Sequence, residues 1–130
     1  MKKKTLQGYT FTRSVDNFSI PTNIQSMIIR YYCMVNNYTF KLHLDEFCIK
    51  NSYIQLFQIL NTQKIDSIAM CSLIFLPKEK NKLEKIFKKA KEKNIELIFI
   101  FENIKFKNKN VNKFIQNIQQ IRKISYLTNK

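Results

Sequence analysis

The feature that most constrains this chain is a pair of nearly unbroken apolar runs, IDSIAMCSL at 65–73 and IELIFIFE at 95–102, separated by EKNKLEKIFKKAKEKN at 79–94. Runs of this length without polar alternation fit strands covered on both faces. The intervening segment has helical spacing, with Leu83, Phe87 and Ala90 on one face and lysines on the others. A buried strand, a crossover helix and a second buried strand make a parallel pair with a right-handed connection, which points to an α/β fold.

The rest of the chain extends that unit. LQGYTFT at 6–12 reads as a first strand, followed by the polar stretch RSVDNFSI. In PTNIQSMIIRYYCMV, Pro21 stands at a first helical position, and Ile24, Met27, Ile28, Tyr31 and Met34 recur at three-to-four spacing, which predicts an amphipathic helix. YTFKLHL at 38–44 sets Tyr38, Phe40, Leu42 and Leu44 against Thr39, Lys41 and His43, the period of a half-buried edge strand. SYIQLFQIL at 52–60 returns to helical spacing, KFKNKNVNK at 105–113 reads as a loop, and a last helix at about 110–127 carries Phe114, Ile118, Ile121 and Leu127.

The sum is a single α/β domain, 1–130, a three-layer sandwich with a four-stranded parallel sheet in the order 2-1-3-4 and helices on both faces. The only glycine is Gly8 and the prolines are Pro21 and Pro77, so boundaries rest on polarity and periodicity.

The formal charge of +14 raises nucleic acid as a partner, because a basic surface releases counterions on meeting phosphates. Yet only Arg13, Arg30 and Arg122 are arginine and the other twenty cations are lysine, the poorer residue for bidentate contacts. The lysine travels with abundant Asn and Ile, which reads as a compositional bias, so nucleic acid is an unlikely partner on this reading. The start of the chain lacks the apolar core and cleavage site of a secretory signal, and no apolar run approaches the roughly 20 residues a membrane helix needs. A cytoplasmic protein without a membrane segment is expected. Cys33, Cys48 and Cys71 are odd in number and lack metal-ligand spacing, so they read as reduced thiols, with no metal and no cofactor expected.

In an open parallel sheet, ligands bind beyond the carboxyl ends of the strands where the strand order reverses. That edge receives Thr12, Arg13 and Ser14 from the first strand, His43, Asp45 and Glu46 from the second, Cys71 and Ser72 from the third, and Glu102 from the fourth. Each residue has two readings. Cys71 is a nucleophile if a cation lowers its pKa, or a core thiol. Ser72 orients a ligand or satisfies a helix start. His43 is the one side chain that titrates near neutrality unaided, and equally an outward strand residue. Asp45 and Glu46 point apart on an extended backbone, and Glu46 is the one assigned to the cleft. Glu102 after an apolar strand needs a cation or a ligand to face. Arg30 serves a ligand or a surface ion pair, and Gln25 lies nearer the start of the first helix. An arginine loop beside a helix start suits a small anion such as a sugar phosphate.

Two resemblances follow. GYTFTRS, IPTNIQSMIIRYYC, DEF, DSIAMCSLIFLP and IFIFE, spanning roughly 7–105, resemble the small bacterial proteins of the sporadic carbohydrate cluster family. The resemblance falls on Gly8, Tyr9, Arg13, Pro21, Gln25, Arg30, Tyr32, Cys33, Glu46, Ser72, Leu76, Pro77 and Glu102, with Cys71 standing where tyrosine is expected. It implies a part in making surface polysaccharide or its sugar precursors, with no reaction attached. Combined with the sheet-edge argument, Tyr9, Arg13, Gln25 and Arg30 are the ligand-binding candidates for a small anionic sugar derivative. Glu46, Glu102, His43 and Ser72 are the catalytic ones.

The second resemblance, to the catalytic domain of serine recombinases within the resolvase- and flavodoxin-like folds, is one of element order. That family's serine falls at Arg13, Thr12 or Ser14, and its Asp-Arg after the third strand is replaced by LIFLP, so the means of strand cleavage are not visible. A nucleic-acid-binding relative that has lost catalysis is the competing reading. A third is a non-catalytic subunit whose apolar last helix docks on a partner or a second copy, making a homo-oligomer.

Overall fold

The structure, a computed structural model, describes residues 3–62 and 64–128. Strands β1 (Lys4–Thr10), β2 (Tyr38–Asp45), β3 (Ser67–Met70), β4 (Glu96–Phe99) and β5 (Ile104–Phe106) alternate with helices α1 (Thr22–Asn36), α2 (Ile54–Thr62), α3 (Lys80–Glu92) and α4 (Val111–Thr128). One sheet runs β2-β1-β3-β4-β5. The first four strands pair in parallel, in the order expected, and every residue of β3 and β4 is buried.

The fifth strand departs from the sequence reading. IKF, within a segment rich in lysine and asparagine, turns back at Asn103 and pairs antiparallel with β4. Phe106 is the reason: it is fully buried among Phe87, Phe99 and Phe114, with ring centroids 4.8 and 5.0 Å from Phe87 and Phe114. Three apolar residues among cations are too few to show a period, yet one buried phenylalanine anchors the edge strand.

Right-handed crossovers set α1 on one face and α2 and α3 on the other, and α3 packs against both α2 and α4. Phe114, Ile115 and Ile118 of α4 are buried, so among the described side chains the first half of its apolar face is occupied within the chain. The side chain of Leu127 lies outside the described residues.

On α1 the buried face is not the one the apolar spacing predicts. Gln25, Ser26, Ile29 and Cys33 are buried, whereas Met27, Tyr31 and Met34 are 63%, 65% and 73% exposed. Hydrogen bonding decides the rotation. Gln25 bonds the backbone of Phe11 and Ile20, and Ser26 Oγ lies 3.1 Å from His43 Nδ1. Satisfied polar groups are tolerated inside, and the apolar stripe is left outward.

β2 carries a bulge: Gln7 pairs with Lys41, but Tyr9 pairs with Leu44, so Leu42 and His43 together oppose Gly8. The extra residue reverses the alternation. Phe40 and His43 both reach the α1 side, and Leu42, expected inside, is 69% exposed. Gly8 is required there, since a Cβ would stand 3.0 Å from His43 Cβ and 3.2 Å from Phe40 Cε1.

Among the described residues, no helix is long and apolar enough to cross a membrane.

Candidate functional site

The loops leaving β1, β2 and β3 meet at the carboxyl edge of the sheet, and Glu46 is the first post that holds them. Its side chain is 1% exposed and accepts five hydrogen bonds. Oε1 takes the Tyr9 hydroxyl at 3.0 Å and the Leu56 amide at 3.2 Å; Oε2 takes the Phe47 amide at 2.9 Å, the Ser52 hydroxyl at 3.1 Å and the Gln55 amide at 3.2 Å. Gln55 and Leu56 belong to the first turn of α2, whose free amides favour a negative charge. Glu46 therefore binds the loop to the start of α2, and both oxygens are engaged. Burial first, and then the Glu46 charge, push the Tyr9 hydroxyl well above its usual pKa.

Arg13 ties the same loop from outside. Its guanidinium donates to the carbonyls of Phe47 at 3.0 Å and Ser52 at 2.9 Å, and lies 4.1 Å from the Phe11 ring centroid and 5.0 Å from that of Tyr53. The rest of its surface is partly exposed to a cleft.

Gln25 is fully buried and pairs with both backbone groups of Phe11: Oε1 accepts its amide at 3.0 Å and Nε2 donates to its carbonyl at 2.7 Å. Beyond Phe11, whose ring stacks on Phe75 at 5.1 Å, stands a second carboxylate. Glu102 accepts the Ser72 hydroxyl at 2.7 Å and the Leu73 amide at 3.0 Å, while Ser72 Oγ also accepts the Ile74 amide. Together they cap the 3-10 turn Leu73–Phe75.

Thus Tyr9, Arg13, Gln25, Glu46, Ser72 and Glu102 gather along one edge of the sheet, in two groups divided by the Phe11–Phe75 stack. His43 and Arg30 do not join them. His43 faces α1, with Nε2 3.5 Å from Asp45 Oδ1, and Asp45 also accepts the Thr10 hydroxyl. Arg30 is exposed on α1, its guanidinium 5.6 Å from the Phe40 ring. Cys71 is fully buried with Sγ 3.8 Å from the Gln25 carbonyl, and burial together with the Glu102 charge pushes its thiol up to about 12.

Two features escape the sequence. The first is Arg122 of α4, which donates to the carbonyls of Leu76 at 2.7 Å, Pro77 at 2.9 Å and Leu73 at 3.2 Å. Burial pulls its pKa down from the usual arginine value. Nothing local in QQIRKIS marks it, because its partners lie 45 to 49 residues earlier. The second is the cleft itself, of about 440 Å³, rimmed by Arg13, Lys50, Lys78 and Lys82 and by the carboxylates Asp16 and Glu79. Lys78 meets Asp16 at 2.6 Å and Lys82 lies 4.0 Å from Glu79, both pairs at the surface and weak enough to exchange for a ligand anion. Four cations against two carboxylates leave the rim positive, and Ser14, Cys48, Asn51 and Tyr53 are part of its wall. Among the described residues no group of three or more His, Cys, Asp or Glu is placed to hold a metal ion.

No protein-family model and no curated protein sequence matches this chain. Solved structures share its fold. The N-terminal catalytic domain of TP901-1 integrase superposes with a TM-score of 0.66 at 14% identity, covering 98% of this chain and 100% of that one. A resolvase family site-specific recombinase from Streptococcus pneumoniae gives 0.66 at 10% identity, over 98% and 95% of the two chains. The C-terminal catalytic domain of ISC1926 TnpA, an IS607-like serine recombinase, gives 0.56 at 12% identity, over 92% and 80%. At such identities the likeness is one of fold: the chain has the architecture of serine recombinase catalytic domains. The carbohydrate cluster resemblance rests on its sequence motifs alone. Of the positions where the recombinase resemblance sets the serine, Arg13 is occupied as described, Thr12 donates to the Glu46 carbonyl at 3.2 Å, and Ser14 lines the cleft.

Proposed function

We propose that this chain uses a recombinase-type fold to bind a small anionic sugar derivative, in the synthesis of surface carbohydrate or its precursors. The observation that carries the reading is the cleft where the β1, β2 and β3 loops converge, with Arg13, Lys50, Lys78 and Lys82 around a volume of about 440 Å³. That volume lies in the range of small-molecule sites. Arg13, held from behind by Phe11 and Tyr53, and the ammonium groups of Lys78 and Lys82 supply the positive field; Ser14 supplies a hydroxyl for orientation.

The groups proposed for proton transfer differ in access. Both oxygens of Glu46 are engaged by five donors, and Glu102 is held by Ser72 and Leu73. His43 stands away from the cleft. Binding is accordingly the primary activity of this reading, and any proton transfer falls to Asp16 or Glu79 on the rim.

The second reading, a nucleic-acid binder that has lost catalysis, is favoured by the exposed lysines Lys80, Lys85, Lys88 and Lys91 of α3 and by the overall charge of +14. Thermal melting separates the two. A sugar phosphate at a hundred times its dissociation constant stabilises by about 2.7 kcal/mol, and the shift should disappear in Lys78→Ala/Lys82→Ala. Tight binding of duplex DNA over heparin, falling steeply with salt, together with no response to any sugar phosphate, would overturn the proposal in favour of the second reading.

A further inference from the structure

The cleft does not end at Tyr53. A second hollow of about 440 Å³ opens along the outer side of α2, and Asn51, Tyr53 and Lys82 line both. The two differ in chemistry. The first is rimmed by charges; the second is almost wholly apolar, floored by Ile54 and Phe57, with Asn51, Gln58 and Asn61 also in its lining. Ile54, at the first position of α2, is 58% exposed. Tyr53 marks the junction, stacked on Phe11 at 5.8 Å, with Lys82 Nζ 5.8 Å from its ring centroid.

We propose that the two adjoining hollows together form a site for a nucleoside diphosphate. The diphosphate, or its sugar ester, lies against Arg13, Lys78 and Lys82, and the base lies on the Ile54–Phe57 shelf beyond Tyr53. The inference rests on reading the cleft as an anion site and adds the group that enters next to the anion. A base needs an apolar platform for its face, and Ile54 and Phe57 supply one. The hollow is an open shelf rather than an enclosed tunnel, so an acyl chain, the other apolar group commonly esterified to a diphosphate, would keep much of its surface in water, whereas a base covers one face on the shelf and turns its polar edge to solvent. Lys82 lines both hollows, so it couples the two halves of such a ligand.

Isothermal titration of the full chain tests this with uridine diphosphate, adenosine diphosphate, farnesyl diphosphate and inorganic pyrophosphate as probes. At least one nucleoside diphosphate should bind ten-fold or more tighter than pyrophosphate. Ile54→Ser should erase that difference while leaving pyrophosphate affinity within two-fold, and Lys82→Ala should weaken all of them. Pyrophosphate binding as tightly as both nucleoside diphosphates, or a difference that survives Ile54→Ser, overturns the shelf and leaves the anion cleft standing. Farnesyl diphosphate binding tighter than either nucleotide overturns the nucleobase in favour of a lipid. No binding by any probe overturns the shelf and the anion cleft together.

Discussion

The guanidinium of Arg122 meets the carbonyl oxygen of Leu76 at 2.7 Å, so the last helix closes over the loop that leaves β3. The same group also reaches Pro77 and Leu73, giving the end of the 3-10 turn three charge-assisted bonds. Arg122→Met keeps the apolar stem and removes all three. The loss should cost about 2–4 kcal/mol, because hydrogen bonds to a charged donor contribute about 1.5–3 kcal/mol each and the freed carbonyls find only partial solvation. Arg122→Lys should recover less than half, one ammonium being unable to span the carbonyls as the planar fork does. Urea unfolding of the three proteins checks this; equal midpoints would show that the loop holds itself.

Glu46 makes a sharper case, since five donors converge on it. Glu46→Gln keeps size and shape but turns one acceptor into a donor aimed at other donors, and removes the charge that the first turn of α2 favours. A loss of about 2–4 kcal/mol is expected, with faster amide exchange at Gln55 and Leu56. If exchange there is unchanged, the carboxylate is not what holds α2 to β2.

The layered fold was legible because β3, α3 and β4 each state one periodicity without ambiguity, and right-handed connections then leave few arrangements for the rest. The boundaries were harder for a physical reason. In a chain with one glycine, asparagine takes the left-handed positions: Asn37 ends α1, Asn51 precedes α2, Asn94 follows α3, and Asn103 and Asn108 flank β5, all with φ between 54° and 64°. Asparagine is among the few residues that accept that conformation. Read as compositional bias, these residues conceal their role as punctuation. At the site, the sheet edge itself could be anticipated, and Arg13, Gln25, Glu46, Ser72 and Glu102 do stand there. What periodicity cannot show is that each of them is bonded to backbone groups of neighbouring loops. The bulge opposite Gly8 and the polar face of α1 are set by contacts between distant segments, and no local pattern records them.

Two tyrosines make stability depend on alkaline pH. Burial, and then Glu46, raise Tyr9; burial, and then the hydrogen bond to Glu96, raise Tyr38, both above the ordinary value of 10.0. In the unfolded chain both ionise near 10, whereas in the fold they keep their protons to higher pH. Their contribution is whole below about pH 10. Above it the unfolded state loses protons that the folded state retains, and stability falls by about 1.4 kcal/mol per pH unit for each such group. Urea midpoints measured from pH 8 to 11.5 should decline from about pH 9, where the buried thiols of Cys33 and Cys71 begin to contribute in the same direction and Tyr53 joins them, and Tyr9→Phe should remove one proton's worth of the slope above about pH 10. A midpoint constant over that range would mean that neither hydroxyl is held in the protonated state by the fold.

The three thiols should separate by reactivity, which follows from thiolate content and access. Cys48 is exposed and lines the cleft, whereas Cys33 and Cys71 are buried, their pKa values pushed by burial to about 11 and about 12 from an ordinary 9.0. At pH 8 a disulfide reagent should therefore modify one thiol per native chain, at Cys48, and three in guanidinium. The slow labelling of the other two should track global unfolding, because Cys71 lies under α1 against the Gln25 carbonyl and no local motion frees it without breaking the Gln25–Phe11 pairing. A Gln25→Ala variant tests that link: it should accelerate labelling of Cys71 more than that of Cys33, which sits two turns further along the helix. Labelling of Cys71 as fast as Cys48 in the native protein would reverse the assignment, marking Cys71 as an accessible, activated thiol rather than a buried one.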